Sequence, residues 1–313
     1  MTRLAKYALL AAAALPLPCC FTGVESTPRI SASEVRKEVP APTAEQQFLT
    51  GIAPQRPAEW TPGKAFIVTD PKITVIFTGS SAFDTIAAAD TLRFEAMRPV
   101  TSFSGEAQTE IILGHGARQY AYRVNLSPDE IAARPSLDIP FTVEQSLVDS
   151  VRALLAGNTY HVVTPLWYSA STGRAVTGLR HVPVTVTDVR SGDIAFPLKV
   201  YFRPDVTDSS IAPGEYFMYM SVGSERTSTR NFHTLFAFAD PRLRYQRITP
   251  EIWNLIIHSQ VKEGMTRDEC RLALGAPATT GQRPTTAGMV EFWQYSDGIY
   301  LLFEENILTR FRR

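Results

Sequence analysis

From position 64 onward the hydrophobic residues fall in short β-branched and aromatic runs, at 65–69, 73–77, 109–113, 119–124, 160–163, 181–186, 198–202 and 216–221. Each is bounded by Gly, Pro, Asp or Ser, the punctuation of strands. Two helical signals interrupt them. Ser127-Pro128-Asp129-Glu130 combines an N-cap serine, a first-turn proline and a reciprocal glutamate, a capping box. Thr142-Val143-Glu144-Gln145 has the same form, and Leu147, Val148, Val151, Leu154 and Leu155 follow at helical spacing up to Gly157, so a helix from Thr142 onward is expected on a sheet. The region 64–245 therefore reads as mainly β. Glycines 63, 157 and 214 each precede a strand, which leaves tandem small β subdomains open.

The pattern changes near position 248. Thr249-Pro250-Glu251 opens one helix, with Ile252, Trp253, Leu255 and Ile256 on it, and Thr266 with Glu269 caps a second that stops at Gly275 and Pro277. After a Thr/Gly/Pro loop over 276–288 come strands at 289–296, 299–303 and 307–311, joined by Asp297-Gly298 and Glu305-Asn306. Asp-Gly between β-prone runs is a strong hairpin signal because both residues tolerate positive φ. A three-stranded meander cannot stand alone, so the two helices should cover one face. The fold class is α+β: a mainly-β middle region with a few helices, then a helix-helix-three-stranded-meander module over 248–313.

The N-terminus has a different logic. Arg3 and Lys6 precede an uncharged apolar stretch over 7–17, too short for the ~20 residues of a membrane-spanning helix but right for a secretory signal. Leu17-Pro18-Cys19-Cys20 then resembles the bacterial lipoprotein signal, with Leu three residues before Cys20 and a small residue directly before it. That resemblance implies removal of residues 1–19 and acylation, including palmitate, at Cys20, or alternatively at Cys19. The membrane would then be reached through a lipid anchor alone. Prolines 28, 40, 42, 54, 57 and 62 make 20–63 a tether with short helical pieces, one opened by the capping box Thr43-Ala44-Glu45-Gln46.

Charge and chemistry narrow the function. Thirty-one basic residues balance thirty-one acidic ones, so no field draws in DNA or RNA, and nucleic acid is not an expected partner. Three cysteines, two of them adjacent, make neither a disulfide framework nor a zinc site. The five histidines, at 115, 161, 181, 233 and 258, form no local metal pattern. No Gly-x-Ser-x-Gly elbow or phosphate-binding loop is present, and Gly114-His115-Gly116 reads as a hairpin turn. No cofactor and no metal are expected. Trp167 and Tyr168 form a candidate stacking platform for a ligand, with packing at a sheet edge as the alternative. On the C-terminal sheet, Trp293 and Tyr295 share one face and Phe292 the other. One set should pack under the helices while the other meets a partner. Trp293, Tyr295, Arg310 and Arg312 are the candidate partner-binding residues, and Arg310, Arg312 and Arg313 are also candidates for lipid phosphates.

The C-terminal signature is Val261-Lys262-Glu263-Gly264-Met265-Thr266, Cys270-Arg271-Leu272-Ala273-Leu274-Gly275-Ala276-Pro277, Glu291-Phe292-Trp293-Gln294-Tyr295 and Tyr300-Leu301-Leu302-Phe303-Glu304-Glu305-Asn306-Ile307-Leu308. It resembles the SmpA/OmlA family of small outer-membrane assembly lipoproteins. The resemblance implies an envelope module that binds other proteins, some members contacting lipid head groups. The expected function is that of a bacterial envelope lipoprotein, placed at the outer membrane, acting as a membrane-anchored binding or scaffold module in outer-membrane assembly or maintenance and not as an enzyme. Two alternatives stand beside it: an envelope enzyme or ligand-binding protein with its site near His161, Trp167 and His181, and a proteinaceous inhibitor presenting its C-terminal sheet.

Overall fold

The computed structural model describes residues 43–78, 85–193, 195–222, 230–285 and 288–312. The candidate lipidation residues Cys19 and Cys20, and Arg313, lie outside them. The residues from Pro42 to Arg313 form one compact unit built on three antiparallel sheets. The fold is α+β, mainly β through its middle, with a helix pair and an antiparallel meander at the C-terminal end.

The first sheet contains β1 (Ala65–Val68), β2 (Phe77–Thr78), β3 (Thr91–Thr101), β4 (Ala107–His115), β5 (Arg118–Val124) and β6 (Thr142–Glu144) in the order β2-β5-β4-β3-β1-β6. Its core face carries Phe66, Leu92, Phe94, Ile111 and Leu113. Gly116, at φ 60°, turns β4 into β5, the hairpin expected from Gly114-His115-Gly116. The second sheet contains β7 (Thr159–Val162), β8 (Leu166–Ser169), β9 (Ala175–Thr177), β10 (Pro183–Ser191), β11 (Leu198–Pro204), β12 (Tyr216–Met220) and β13 (Phe236–Ala237) in the order β13-β7-β10-β11-β12-β8-β9. The mainly-β region is thus divided between two sheets sharing one compact unit.

Among the helices, α1 (Ala44–Gln47) and α2 (Pro128–Ala132) carry the expected capping boxes, from Thr43 and Ser127. The long helix α3 (Gln145–Leu155) buries Leu147, Val148, Val151 and Leu155 on the core of the second sheet, each such burial contributing ~1.5–3 kcal/mol. It starts later than its capping-box pattern suggests. Residues Thr142–Glu144 pair with β1 as a strand, and Thr142 turns its hydroxyl to the Ile139 carbonyl at 2.8 Å. Glu144 occupies the N-cap position without capping; its carboxylate reaches Lys64 instead. The short α4 (Phe232–Leu235) precedes β13.

The tether also ends earlier than its prolines suggest. From Thr43 the chain packs: Leu49 enters the second core and Trp60 the first. The Trp60 indole N–H donates to the Gln55 carbonyl at 3.0 Å, which satisfies its polar edge in the interior.

In the C-terminal module, α5 (Pro250–Ile257) and α6 (Arg267–Leu274) pack on the inner face of a sheet that contains β14 (Thr279–Thr285), β15 (Gly288–Gln294), β16 (Tyr300–Glu304) and β17 (Ile307–Arg312). Four strands replace the expected three, because the Thr/Gly/Pro segment pairs with β15 as an edge. Pro284 is tolerated on such an edge. Gly281 lies opposite Phe292, and a Cβ there would sit 2.2 Å from its ring. The glycine gives the aromatic ring room to cover the strand.

Candidate functional site

Two surfaces of the second sheet organise the molecule: the turn that grips the C-terminal module, and the outward face of its central strands. The turn is Arg180-His181. His181 stands at φ 56°, a left-handed conformation that a histidine adopts more readily than most residues, and its backbone N–H donates to Val162 at 2.5 Å. The kink throws both side chains across to the module. The Arg180 guanidinium donates to the carbonyls of Val163 at 2.8 Å and Leu274 at 3.2 Å, and to the Ser259 hydroxyl at 3.1 Å. Its own backbone N–H donates to Ile257 at 2.9 Å. His181 holds the Leu272 carbonyl at 3.0 Å through Nε2.

Leu272 and Leu274 close α6 and Ile257 closes α5, so one dipeptide serves the unpaired carbonyls at two helix ends. A cation at that end also complements the helix dipole. Burial lowers the Arg180 pKa to about 10, so it stays charged at neutral pH. Burial also drives the His181 pKa down to about 4, against the opposing pull of the Leu272 carbonyl. Around it stand Arg180 and His161, which disfavour a positive imidazole, and Asp240, which favours one. His258 adds a second tie, its Nε2 lying 3.2 Å from the Asp208 carboxylate.

The outward face of the second sheet is aromatic, with three half-buried tyrosines around the buried Phe217. Tyr201, Phe217 and Tyr168 align directly across β11, β12 and β8, with ring centroids 5.2 Å and 5.3 Å apart. Tyr219 joins the lattice 5.1 Å from Tyr168 and 5.5 Å from Phe217. Cations border it. Arg190 lies 4.3 Å over Tyr201, and Lys199 sits 5.5 Å and 5.4 Å from the Phe217 and Tyr219 rings. Arg230 lies 4.9 Å over Phe196. Alternation explains the layout: Val200, Phe202, Met218 and Met220 enter the core, while Lys199, Tyr201, Phe217 and Tyr219 take the other side.

No protein-family model, no curated protein and no solved structure matches the chain.

The candidate residues are distributed differently from the expectation. Trp167 and Tyr168 do not form one platform. Trp167 is fully buried, edge-on to Phe202 at 5.2 Å, with its indole N–H donating to Thr164 at 2.9 Å. It lies so close to Gly178 that a Cβ there would stand 2.1 Å from the ring. Tyr168, the next residue, points to the opposite face and belongs to the aromatic lattice. His161 and His181 are brought near each other at the module junction, with Trp167 in the sheet core.

Trp293 and Tyr295 are likewise unavailable to a partner. Trp293 is 1% exposed, packed on Phe303 at 4.7 Å and covered by Arg271. Its indole N–H donates to Glu291 at 2.6 Å. The Tyr295 hydroxyl donates to Gly275 at 3.2 Å, and burial raises its pKa. Both are spent on holding α6 to the sheet. Arg310 and Arg312 are exposed and pair across β16 with Leu302 and Tyr300, on the side where Phe292 stacks on Tyr300. Cys270 is buried in the module core, and burial pushes its thiol up to about 12, so it packs as a small hydrophobe.

Proposed function

We propose that this protein is a bacterial envelope lipoprotein, anchored by acyl chains on Cys20, that presents a binding surface at the outer membrane. The lipoprotein-like signal and the SmpA/OmlA-like C-terminal signature support the location and the anchor. The observation that carries the binding role is the outward lattice of the half-buried Tyr168, Tyr201 and Tyr219 around the buried ring of Phe217, edged by Lys199 and Arg190. Aromatic side chains flanked by arginine are the composition of binding hot spots, where large rigid rings exclude water around a few charged contacts. A partner suited to it offers flat apolar groups together with negative charge. The C-terminal module acts as a brace, locked to the sheet by Arg180 and His181, and the partner-binding role moves from Trp293 and Tyr295 to the aromatic lattice. No helix among the described residues is long and apolar enough to cross a membrane, and the lipid would hold the protein in place, each buried methylene contributing ~0.8 kcal/mol.

A photo-crosslinking amino acid placed at position 219 of the full chain tests the surface in intact cells. It is expected to give a discrete adduct that disappears when Lys199→Glu reverses the neighbouring charge, while the same probe at the exposed Glu263 of the module gives none. Absence of any adduct from position 219, or the same adducts from both positions, would overturn the assignment.

A further inference from the structure

The loop over residues 205–215, between β11 and β12, meets the C-terminal module at an imidazole held between two oxygens. His258 is the C-cap residue of α5, and its Nδ1 lies 2.7 Å from the Asn254 carbonyl one turn back. Its Nε2 lies 3.2 Å from Oδ2 of Asp208 on the loop. The two side chains are 23% and 26% exposed. Asp208 is fixed through its other oxygen, where Oδ1 accepts the Ser210 hydroxyl at 2.6 Å and the Ser210 backbone N–H at 2.8 Å. These two bonds, the hydroxyl's first, lower its pKa, so Asp208 is a carboxylate at neutral pH.

A carbonyl and a carboxylate can only accept. One imidazole satisfies both only when each ring nitrogen carries a proton, that is, as the imidazolium. In the neutral ring one nitrogen keeps its proton and the other turns a lone pair on an oxygen, so one of the two contacts becomes repulsive whichever tautomer forms. The charges around the ring act in both directions. Asp208 on the loop favours the proton, as do the carbonyl dipoles at the end of α5. Arg180 opposes it from the turn before β10, its backbone N–H on Ile257 and its guanidinium on Ser259, the two neighbours of His258.

We propose that His258 and Asp208 form a proton-gated latch, which holds the loop to the C-terminal module while the imidazole is charged and releases it when the ring loses a proton. The loop is secured independently at its two ends. At the β11 end the Asp205 backbone N–H donates to the Pro183 carbonyl at 2.9 Å and its carboxylate accepts the Thr185 hydroxyl at 2.8 Å. At the β12 end the Tyr216 hydroxyl donates to the Ala212 carbonyl. Asp208 lies between these anchors, so the latch governs the middle of the loop. Together with Val206, Ile211 and Pro213, Asp208 also lines a cavity of about 450 Å³, one wall of which the latch therefore steadies or frees. The device depends neither on the aromatic lattice nor on the lipid anchor.

Amide exchange of the full chain in detergent, at pH 5.5 and pH 7.5 and expressed as protection relative to the unstructured rate at each pH, tests this directly. The two values bracket the ~6.5 at which an ordinary histidine changes charge, and His181, at about 4, stays neutral across them. Protection of residues 206–211 is expected to fall about threefold from pH 5.5 to 7.5, the size of a partly exposed ion pair. His258→Gln, which cannot titrate, should abolish that dependence. Asp208→Asn should reverse it: the amide oxygen still serves Ser210, while the amide N–H donates to the lone pair of a neutral imidazole and opposes an imidazolium. A loop equally protected at both pH values in the wild type, an undiminished dependence in His258→Gln, or failure of Asp208→Asn to reverse the sign would each overturn the proposal.

Discussion

Arg180→Ala is expected to loosen the C-terminal module and lower the stability of the whole chain by about 3–5 kcal/mol. The guanidinium makes three hydrogen bonds, to Val163, Leu274 and Ser259. Hydrogen bonds to charged groups contribute ~1.5–3 kcal/mol each, and orphaned carbonyls add their own desolvation cost. Relaxation and water entering the gap keep the total below the simple sum. Thermal unfolding should begin about 10 °C earlier, at ~2–4 °C per kcal/mol for a unit of this size, and amide exchange should accelerate first in α5 and α6. Arg180→Lys keeps the charge but replaces a planar fork with a point donor, so about half of the loss is expected. If Arg180→Ala melts like the wild type, with unchanged exchange in both helices, the turn is not what holds the module.

Acid should release the same junction through His181. An unfolded histidine takes its proton near 6.5, whereas burial holds the folded His181 down to about 4. The unfolded chain therefore binds more protons between those values. The stability contributed by the neutral imidazole is complete above pH 6.5 and falls by about 1.4 kcal/mol per pH unit as the pH drops toward 4, about 3 kcal/mol in all. Asp240 moderates the loss and Arg180 and His161 sharpen it. Denaturant midpoints measured from pH 7 to pH 4 should show this decline. In His181→Asn, whose side chain tolerates the left-handed backbone without titrating, the decline should flatten over the same window. A decline of equal steepness in the variant would assign it to other groups.

Much of the architecture was legible because it rests on local signals. Ser127 and Thr266 announce their helices through capping boxes that form as spaced, and Asp297-Gly298 turns one strand into the next with Gly298 at φ 90°. The misreadings occurred where a distant partner overrode the local pattern. Thr142 begins a capping-box sequence, yet β1 recruits Thr142–Glu144 into a sheet and Lys64 takes the Glu144 carboxylate. The edge strand Thr279–Thr285 reads as a loop because Gly281 and Pro284 break its pattern, and Phe292 supplies from the next strand what the glycine lacks. Leu49 and Trp60 lie among prolines, whose abundance hides two core residues.

The site was less legible than the fold. Trp167 and Tyr168 were a visible pair, but strand alternation sends them to opposite faces, and only Tyr168 joins the lattice. Tyr201, Phe217 and Tyr219 lie in runs that read simply as strand; their alignment depends on a register set by pairing between β11, β12 and β8. Arg180 and His181 carry no motif, since their acceptors are backbone carbonyls, Leu274 lying 94 positions away in the chain.

Metabolic labelling with an alkyne analogue of palmitate, in cells making the wild type and Cys20→Ala side by side, tests the envelope-lipoprotein account most directly. The account predicts labelled wild-type protein in the outer-membrane fraction, and in Cys20→Ala loss of both the label and the membrane association. Unlabelled wild-type protein recovered in the soluble fraction would contradict it.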